Sequence, residues 1–327
     1  MTAGSMIGMF LVTLAVVPMA TRFGIDSIAT TKPQFGSRGW MIAAVLQYIS
    51  IIGWNSLLLI FFGKSVTQLL MTLGVMGEGA SAYIVPLMSA VACAIVYGTL
   101  LRGATGIERV SKILFAFIIG VSLWMVVMLL TQQSGAIALL FVIAANLGTA
   151  VIGVYASAVG LRHLPVMNAL PWKWVLTVAL MPVAAVGIAL PELFFNSFGT
   201  FLAFIGVMFA PLCGIQIVDY YFLRKQQISI RGIYDPSPDA PYFFWRGFNP
   251  AAFLAMAAGF GVYVYLLHPV SYVSHAPYQY LTASLPTFFV GGVSYWIFTA
   301  TLNLSKGVGG YKTASQIVEE EKERIAL

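Results

Sequence analysis

Apolar residues run along this 327-residue chain in long blocks, many close to the roughly 20 positions an α-helix needs to cross the hydrocarbon core of a bilayer. Hydropathy and breaker residues divide the chain into nine such spans, at 3–21, 40–62, 82–101, 110–130, 136–161, 174–190, 194–222, 250–267 and 278–302. None alternates polar and apolar positions as the strands of an outer-membrane barrel do. The seventh is the longest, about 43 Å if helical throughout, and is expected to tilt or to bend near Pro211 and Gly214. The pattern predicts an all-α polytopic membrane protein of about nine transmembrane helices: a single membrane domain over 1–304, then an exposed polar tail over 305–327. Lys306-Gly307-Val308-Gly309-Gly310 reads as a flexible link into that tail.

Composition sharpens this reading. With 60% hydrophobic and 9% charged residues, and a mean hydropathy of +0.90, the chain has too little charge to cover a soluble domain. The formal net charge of +6 would suit nucleic acid, but no basic stripe or zinc-ligand spacing accompanies it, so no nucleic-acid partner is expected. The basic residues instead mark alternate connections. Arg22, Lys32 and Arg38 follow the first span; Arg102, Arg109 and Lys112 the third; Arg162 and Lys173 the fifth; Arg224, Lys225, Arg231 and Arg246 the seventh. Lys306, Lys312, Lys322 and Arg324 lie in the tail, which leaves Lys64 alone among the remaining connections. Cytoplasmic connections collect Lys and Arg. The C-terminus is therefore expected in the cytoplasm and the N-terminus of this chain outside. Two residues are little to precede an inward-running first span, so a further helix ahead of it is expected.

Enzyme chemistry finds no support. Paired acids, Ser/His or His/Asp clusters facing a membrane cavity are missing from the sequence. The glycines after Lys306 lack the Walker pattern, and His163, His268 and His275 sit at span ends without metal-ligand spacing. Cys93 and Cys213 lie inside apolar blocks and read as buried small side chains. Asp219 and Glu192 are the only acids in or against a span. Asp219 lies within a turn of Arg224 and Lys225, which favours a structural ion pair over proton coupling. Glu192 follows Pro191 in a connection and reads as solvated. Gly4 and Gly8 form a GxxxG pair suited to helix packing.

The seventh span closes with Gly214-Ile215-Gln216-Ile217-Val218-Asp219-Tyr220-Tyr221-Phe222-Leu223-Arg224. It leads through Ile228-Ser229-Ile230-Arg231-Gly232-Ile233-Tyr234 to Phe244-Trp245-Arg246-Gly247-Phe248-Asn249. This stretch closely resembles the end of the tenth helix and the following loop in the nucleobase:cation symporter-1 family (cytosine/purine, uracil, thiamine and allantoin permeases). Phe35-Gly36-Ser37-Arg38-Gly39 with Gly53-Trp54 is similar to the start of that family's third helix. Gly148-Thr149 with Val154-Tyr155-Ala156-Ser157 is similar to its eighth. The resemblance implies a leucine-transporter-like fold, in which ten of twelve helices form two inverted repeats. On that plan the first span resembles helix two, the next three resemble helices three to five, and the last five resemble helices eight to twelve. Helices one, six and seven are left without counterparts, so the inverted-repeat fold is expected to be incomplete. The omission preserves the direction of every remaining span, in agreement with the charge alternation. It would also remove the first helix of each repeat, which in this fold is broken at mid-membrane and contacts substrate and cation.

Trp54 lies near the middle of the second span, where an aromatic ring can pack against neighbouring helices or stack on a planar heterocycle. The resemblance implies stacking there. Asn55 can hydrogen-bond a base, although adjacent residues on a helix point in different directions. Leu58 occupies the position where many relatives place an amide. Asn146, Thr149, Gly153, Ser157 and Gly160 share one helical face, a seam for close packing. The resemblance points to the Thr149 hydroxyl and the Ala145 carbonyl as ligands for Na⁺, with Gly148 where relatives often carry a second hydroxyl.

Two functional readings remain open on these residues. One is a secondary transporter in the cell membrane that couples Na⁺ or H⁺ to uptake of nucleobases or related heterocycles by alternating access. The other is a truncated, non-transporting or accessory membrane protein of the same lineage.

Overall fold

The computed structural model describes residues 2–77, 81–103, 112, 116, 119–120, 136–235 and 237–311. Its principal helices are α1 (Thr2–Phe23), α2 (Trp40–Thr72), α3 (Ser81–Leu100), α4 (Ala136–Leu161), α5 (Trp172–Ala189), α6 (Pro191–Asn196), α7 (Phe198–Ile217), α8 (Pro250–Leu266) and α9 (Ser284–Leu302). No β-strand forms among the described residues. Helices are what long apolar blocks must form in lipid, because each backbone N–H and C=O has to be satisfied within its own segment. Six described helices are long and apolar enough to cross a membrane: Trp40–Thr72, Ala82–Leu100, Leu139–Leu161, Trp172–Ala189, Phe198–Leu223 and Ser284–Lys306. Ile7–Phe23 and Pro250–Leu266 are shorter apolar helices.

The expected bounds and the observed ones differ in places with physical causes. α2 continues to Thr72, ten residues past the expected end, because Lys64 and Gln68 are polar without breaking a helix. The expected seventh span divides at Ser197 into the short α6 and the long α7. The last span likewise starts at Ser284, after a separate turn at Tyr278–Leu281. The expected span at 110–130 lies almost wholly outside the described residues.

The chain falls into two compact units, one of Met1–Leu46 with Thr200–Leu327 and one of Gln47–Gly199. In the second, Leu59, Ala92, Val96, Leu100, Ala150, Val154, Ala158, Leu176, Ala179 and Val183 form one buried apolar cluster. Hydrogen bonds order its helices. Tyr48 donates to the Val178 carbonyl and Ser56 to that of Val183, so α2 and α5 run parallel. Tyr97 meets Thr177, and Trp172 Nε1 donates to the Leu100 carbonyl, so α3 runs antiparallel to α5.

In the first unit, the close approaches are made by glycines. A Cβ on Gly259 or Gly291 would strike Pro211, and one on Gly214 would strike the Phe288 backbone. Pro211 and Gly214 thus serve contact between α7, α8 and α9, and the helix runs through both to Ile217. An irregularity follows, a π-turn over Val218–Leu223. Gly8 has open space where a Cβ would be, so the expected packing role of the GxxxG pair is not met at that residue. It lines instead a largely apolar cavity of about 600 Å³ among α1, α7 and the start of α9.

Candidate functional site

Trp54 lies on the α2 face that meets α6 and the start of α7. Its indole is 43% exposed and meets the Phe198 ring edge to face, at 5.4 Å between centroids and 79° between planes. Asn55 turns the other way, as its neighbouring position on the helix requires, and is buried. Its Nδ2 donates to the Ile51 carbonyl at 2.7 Å. Its amide covers Gly153 of α4 so closely that a Cβ there would lie 2.9 Å from Asn55 Cγ. Among the described residues Asn55 Oδ1 and Ser157 Oγ are buried without a hydrogen-bond partner.

The α4 seam is therefore a packing surface at Gly153. Thr149, one turn away on the same face, is exposed, and its Oγ1 donates to the Ala145 carbonyl at 2.9 Å. The two oxygens singled out for Na⁺ are thus neighbours. Trp54 and Asn55 do not share a face, and it is Asn55, not Trp54, that α4 adjoins.

A second constellation forms in the other unit, where the sequence motifs converge. Asp219 is fully buried and accepts four hydrogen bonds. Arg224 Nε at 2.7 Å and Gln34 Nε2 at 3.1 Å reach Oδ2; the Tyr295 and Tyr311 hydroxyls reach Oδ1 at 2.9 and 3.0 Å. Arg224 Nη1 and Nη2 donate to the carbonyls of Gly309 (3.0 Å) and Pro33 (2.8 Å), and the guanidinium lies over the rings of Tyr242 and Tyr311. Two of the motifs pair directly. The Arg38 and Gly39 amides donate to the Gly247 carbonyl, and the Asn249 amide to that of Phe35. Gly36 (φ 95°) and Gly247 (φ 93°) permit this, since a side chain on Gly36 would strike Gly247.

These contacts correct one expectation: residues 307–311 are docked through Gly309 and Tyr311 rather than forming a flexible link. Glu192 is 64% exposed, as its solvated reading expects, and also pairs with Lys64 at 2.7 Å. The expected ion pair of Asp219 with Arg224 is present, and Cys93 and Cys213 are free and buried. Of the Asp219 partners only Arg224, inside the motif itself, was within reach of sequence reasoning; Gln34, Tyr295 and Tyr311 were not.

Apolar helices of this length, with their backbone groups satisfied internally, define a multi-pass helical membrane protein. The chain superposes on Mhp1, a nucleobase-cation-symport-1 family transporter solved closed with bromovinylhydantoin bound, with a TM-score of 0.55 at 17% identity. The match covers 92% of this chain and 85% of that one. The inward-facing conformation of Mhp1 matches with a TM-score of 0.55 at 16% identity, over 98% and 86% of the two chains. The shared fold is the leucine-transporter-like type that the sequence implies. Residues 72–291 match the model of the family described as permease for cytosine/purines, uracil, thiamine, allantoin, and the chain belongs to that family.

Among curated relatives, the purine-uracil permease NCS1 of Arabidopsis thaliana is 32% identical over 108 residues, 32% of this chain and 18% of its own length. The allantoin permease of Bacillus subtilis (strain 168) is 36% identical over 72 residues, 20% of this chain and 14% of its own. The hydantoin permease of Microbacterium maritypicum is 34% identical over 80 residues, 24% and 16% respectively. The aligned stretches thus span less than a fifth of each of these relatives. All three are permeases rather than enzymes.

Proposed function

We propose that this chain is a secondary transporter that takes up nucleobases or related heterocycles by alternating access, coupled to Na⁺ or H⁺, in the cell membrane with its C-terminus cytoplasmic. The observation that carries the reading is the Trp54 indole. It sits within a membrane helix of a permease-family chain, and much of its surface is open. A flat aromatic face suits a planar heterocycle because stacking demands no particular hydrogen-bond pattern, and it contributes about 1–3 kcal/mol per base. Stacking supplies affinity but little discrimination. Discrimination falls to polar groups on the face that Trp54 presents, a face that Asn55, packed against Gly153 on the other side of α2, does not share.

Na⁺ binding at Ala145 and Thr149 is supported by the adjacency of two hard oxygens on one helical turn. Asp219 already accepts four donors, which supports a structural role for it and not a proton-carrying one.

Uptake of radiolabelled cytosine, uracil, adenine, hypoxanthine and allantoin into cells without their own permeases tests the proposal. At least one should enter above the vector control, and Trp54→Ala should reduce its uptake more than Trp174→Ala. Uptake of none defeats the transporter reading, and equal losses remove Trp54 from the site.

A further inference from the structure

Trp245 and Phe248 close a tight turn around Arg246 and Gly247. The Trp245 amide donates to the Phe248 carbonyl at 3.1 Å, and the Phe248 amide donates back to that of Trp245 at 3.0 Å. Arg246 (φ 53°) and Gly247 (φ 93°) both have positive φ, as the two central residues of a type I′ turn must. Glycine takes that conformation freely, whereas arginine takes it at a cost in backbone strain. Strain of this kind gathers where a side chain is put to use.

Two further cations, from distant parts of the chain, meet this turn. The stem of Arg38 lies across Gly247, where a Cβ would be 2.6 Å from Arg38 Cγ. The Lys306 ammonium stands 4.2 Å from the centre of the Trp245 ring. Arg38, Arg246 and Lys306 are all exposed, and among the described residues none of them is in an ion pair. The rings of Trp245 and Phe248 are also open, at 44% and 39% exposure. Depth is set by the chain itself. Arg38 lies two residues before Trp40 of α2, Arg246 four before Pro250 of α8, and Lys306 four after Leu302 of α9. Cations so close to the ends of apolar helices stand at headgroup level, where exposed Trp rings also settle. A general excess of Lys and Arg in cytoplasmic connections accounts for single cations in these loops. It does not account for three of them meeting at one strained turn.

We propose that the Trp245–Phe248 turn, with Arg38 and Lys306, is a binding site for the headgroup of an anionic phospholipid. The phosphodiester sits among the three cations, where the planar Arg guanidinium groups can meet its oxygens two at a time. Trp245 and Phe248 rest against the glycerol and the upper part of the acyl chains. The charge of the lipid offsets the mutual repulsion of the three cations, and its anchored tails hold it at the depth of the turn.

The test reconstitutes the full chain in phosphatidylcholine vesicles carrying increasing fractions of brominated phosphatidylglycerol, which quenches nearby indoles. Quenching at Trp245 is read as the difference between wild type and Trp245→Phe. It should reach half its maximum at a lower fraction of brominated phosphatidylglycerol than of brominated phosphatidylcholine. Arg38→Gln, Arg246→Gln and Lys306→Gln should each raise that fraction about fivefold, the worth of one basic residue at an anionic surface. Arg231→Gln removes an exposed cation from the same loop outside the turn and should leave it unchanged. Equal quenching by the two lipids, or a loss at Arg231 as large as at the turn, would overturn the site in favour of diffuse charge. Arg246→Gly separates binding from folding. Glycine relaxes the backbone at this φ, so Tm should hold or rise while the preference for phosphatidylglycerol weakens as it does in Arg246→Gln. A fall in Tm would make Arg246 a structural residue and overturn its part in the site. Inorganic phosphate should not displace the lipid; displacement would make the turn a site for a free anion and overturn the lipid assignment.

Discussion

Arg224 lies five residues after Asp219 and is joined to it twice. Its Nε donates to Asp219 Oδ2 at 2.7 Å, and its backbone amide donates to the Asp219 carbonyl at 2.8 Å. In a regular α-helix residues five apart point about 140° away from each other. The π-turn over Val218–Leu223 brings them into line, since its bonds run from residue i+5 back to i. The D-Y-Y-x-x-R spacing is therefore the spacing of that turn. Around it gather the loop from α1, the Asn249 cap of α8, Tyr295 of α9 and Tyr311 after it.

Replacing Asp219 by Asn should be severely destabilising. It leaves the Arg224 guanidinium buried without its counter-ion, a change that typically costs about 3–5 kcal/mol. Arg224→Met should do similar damage from the other side, and Asp219→Asn/Arg224→Met should lose less than the two singles added together. Thermal unfolding of the detergent-solubilised protein checks this. Additive losses would mean that the two residues act independently.

Lys32 carries a pH dependence of definite sign. It is buried, with its ammonium 5.0 Å from the ring centre of Trp40 and 4.9 Å from that of Tyr234. Burial lowers its pKa below 10.5, with a smaller opposing pull from Asp26. The unfolded chain therefore holds this proton more tightly than the folded one, so this residue's contribution to stability rises with pH through the window just below 10.5. Tyr234, whose pKa is raised by burial and by Asp26, acts in the opposite sense. Comparison with Lys32→Met separates the two: wild type should gain Tm relative to the variant as pH approaches 10.5. A difference that stays flat would show that burial does not depress Lys32.

What the sequence made legible follows from the range of the forces involved. The α4 bounds, 136–161, were readable to the residue because the solvent itself dictates a helix wherever an apolar block is long enough. Trp54 was readable as a mid-span ring, and the seam at Gly153 as a close contact, from spacing alone. Their partners were not, since Phe198 and Asn55 lie 144 and 98 positions away and only tertiary packing selects them. The division at Ser197 was hidden because α6 is itself rich in Phe and Leu, and hydropathy does not sense backbone angles. The docking of Gly309 and Tyr311 was hidden for the opposite reason: glycine-rich polar sequence reads as loose until the buried acid and arginine that hold it are seen.

Gly153 offers a direct check on the contact between α2 and α4. Gly153→Ala places a methyl against the Asn55 amide, and overpacking of this kind costs about 1–3 kcal/mol. Shortening the partner in Gly153→Ala/Asn55→Ser should recover much of the lost Tm. If Gly153→Ala alone is as stable as wild type, Asn55 has room to move and the seam is not tight at this point.

Thr149 separates cation binding from stability more cleanly than any other candidate. Its side chain is exposed, and its single hydrogen bond returns to the carbonyl of its own helix at Ala145. Exposed substitutions of this type usually change stability by no more than about 0.5 kcal/mol. Thr149→Ala should therefore leave Tm almost unchanged. If the hydroxyl oxygen is a Na⁺ ligand, the same change should raise the Na⁺ concentration that gives half-maximal uptake, while Thr149→Ser, which keeps the oxygen, should not. Replacing Na⁺ with choline should depress uptake by wild type and by Thr149→Ser alike. An unaltered Na⁺ dependence in Thr149→Ala would remove Thr149 from the cation site. A large fall in Tm would instead show that the hydroxyl holds the helix, and that its place on the α4 seam concerns packing alone.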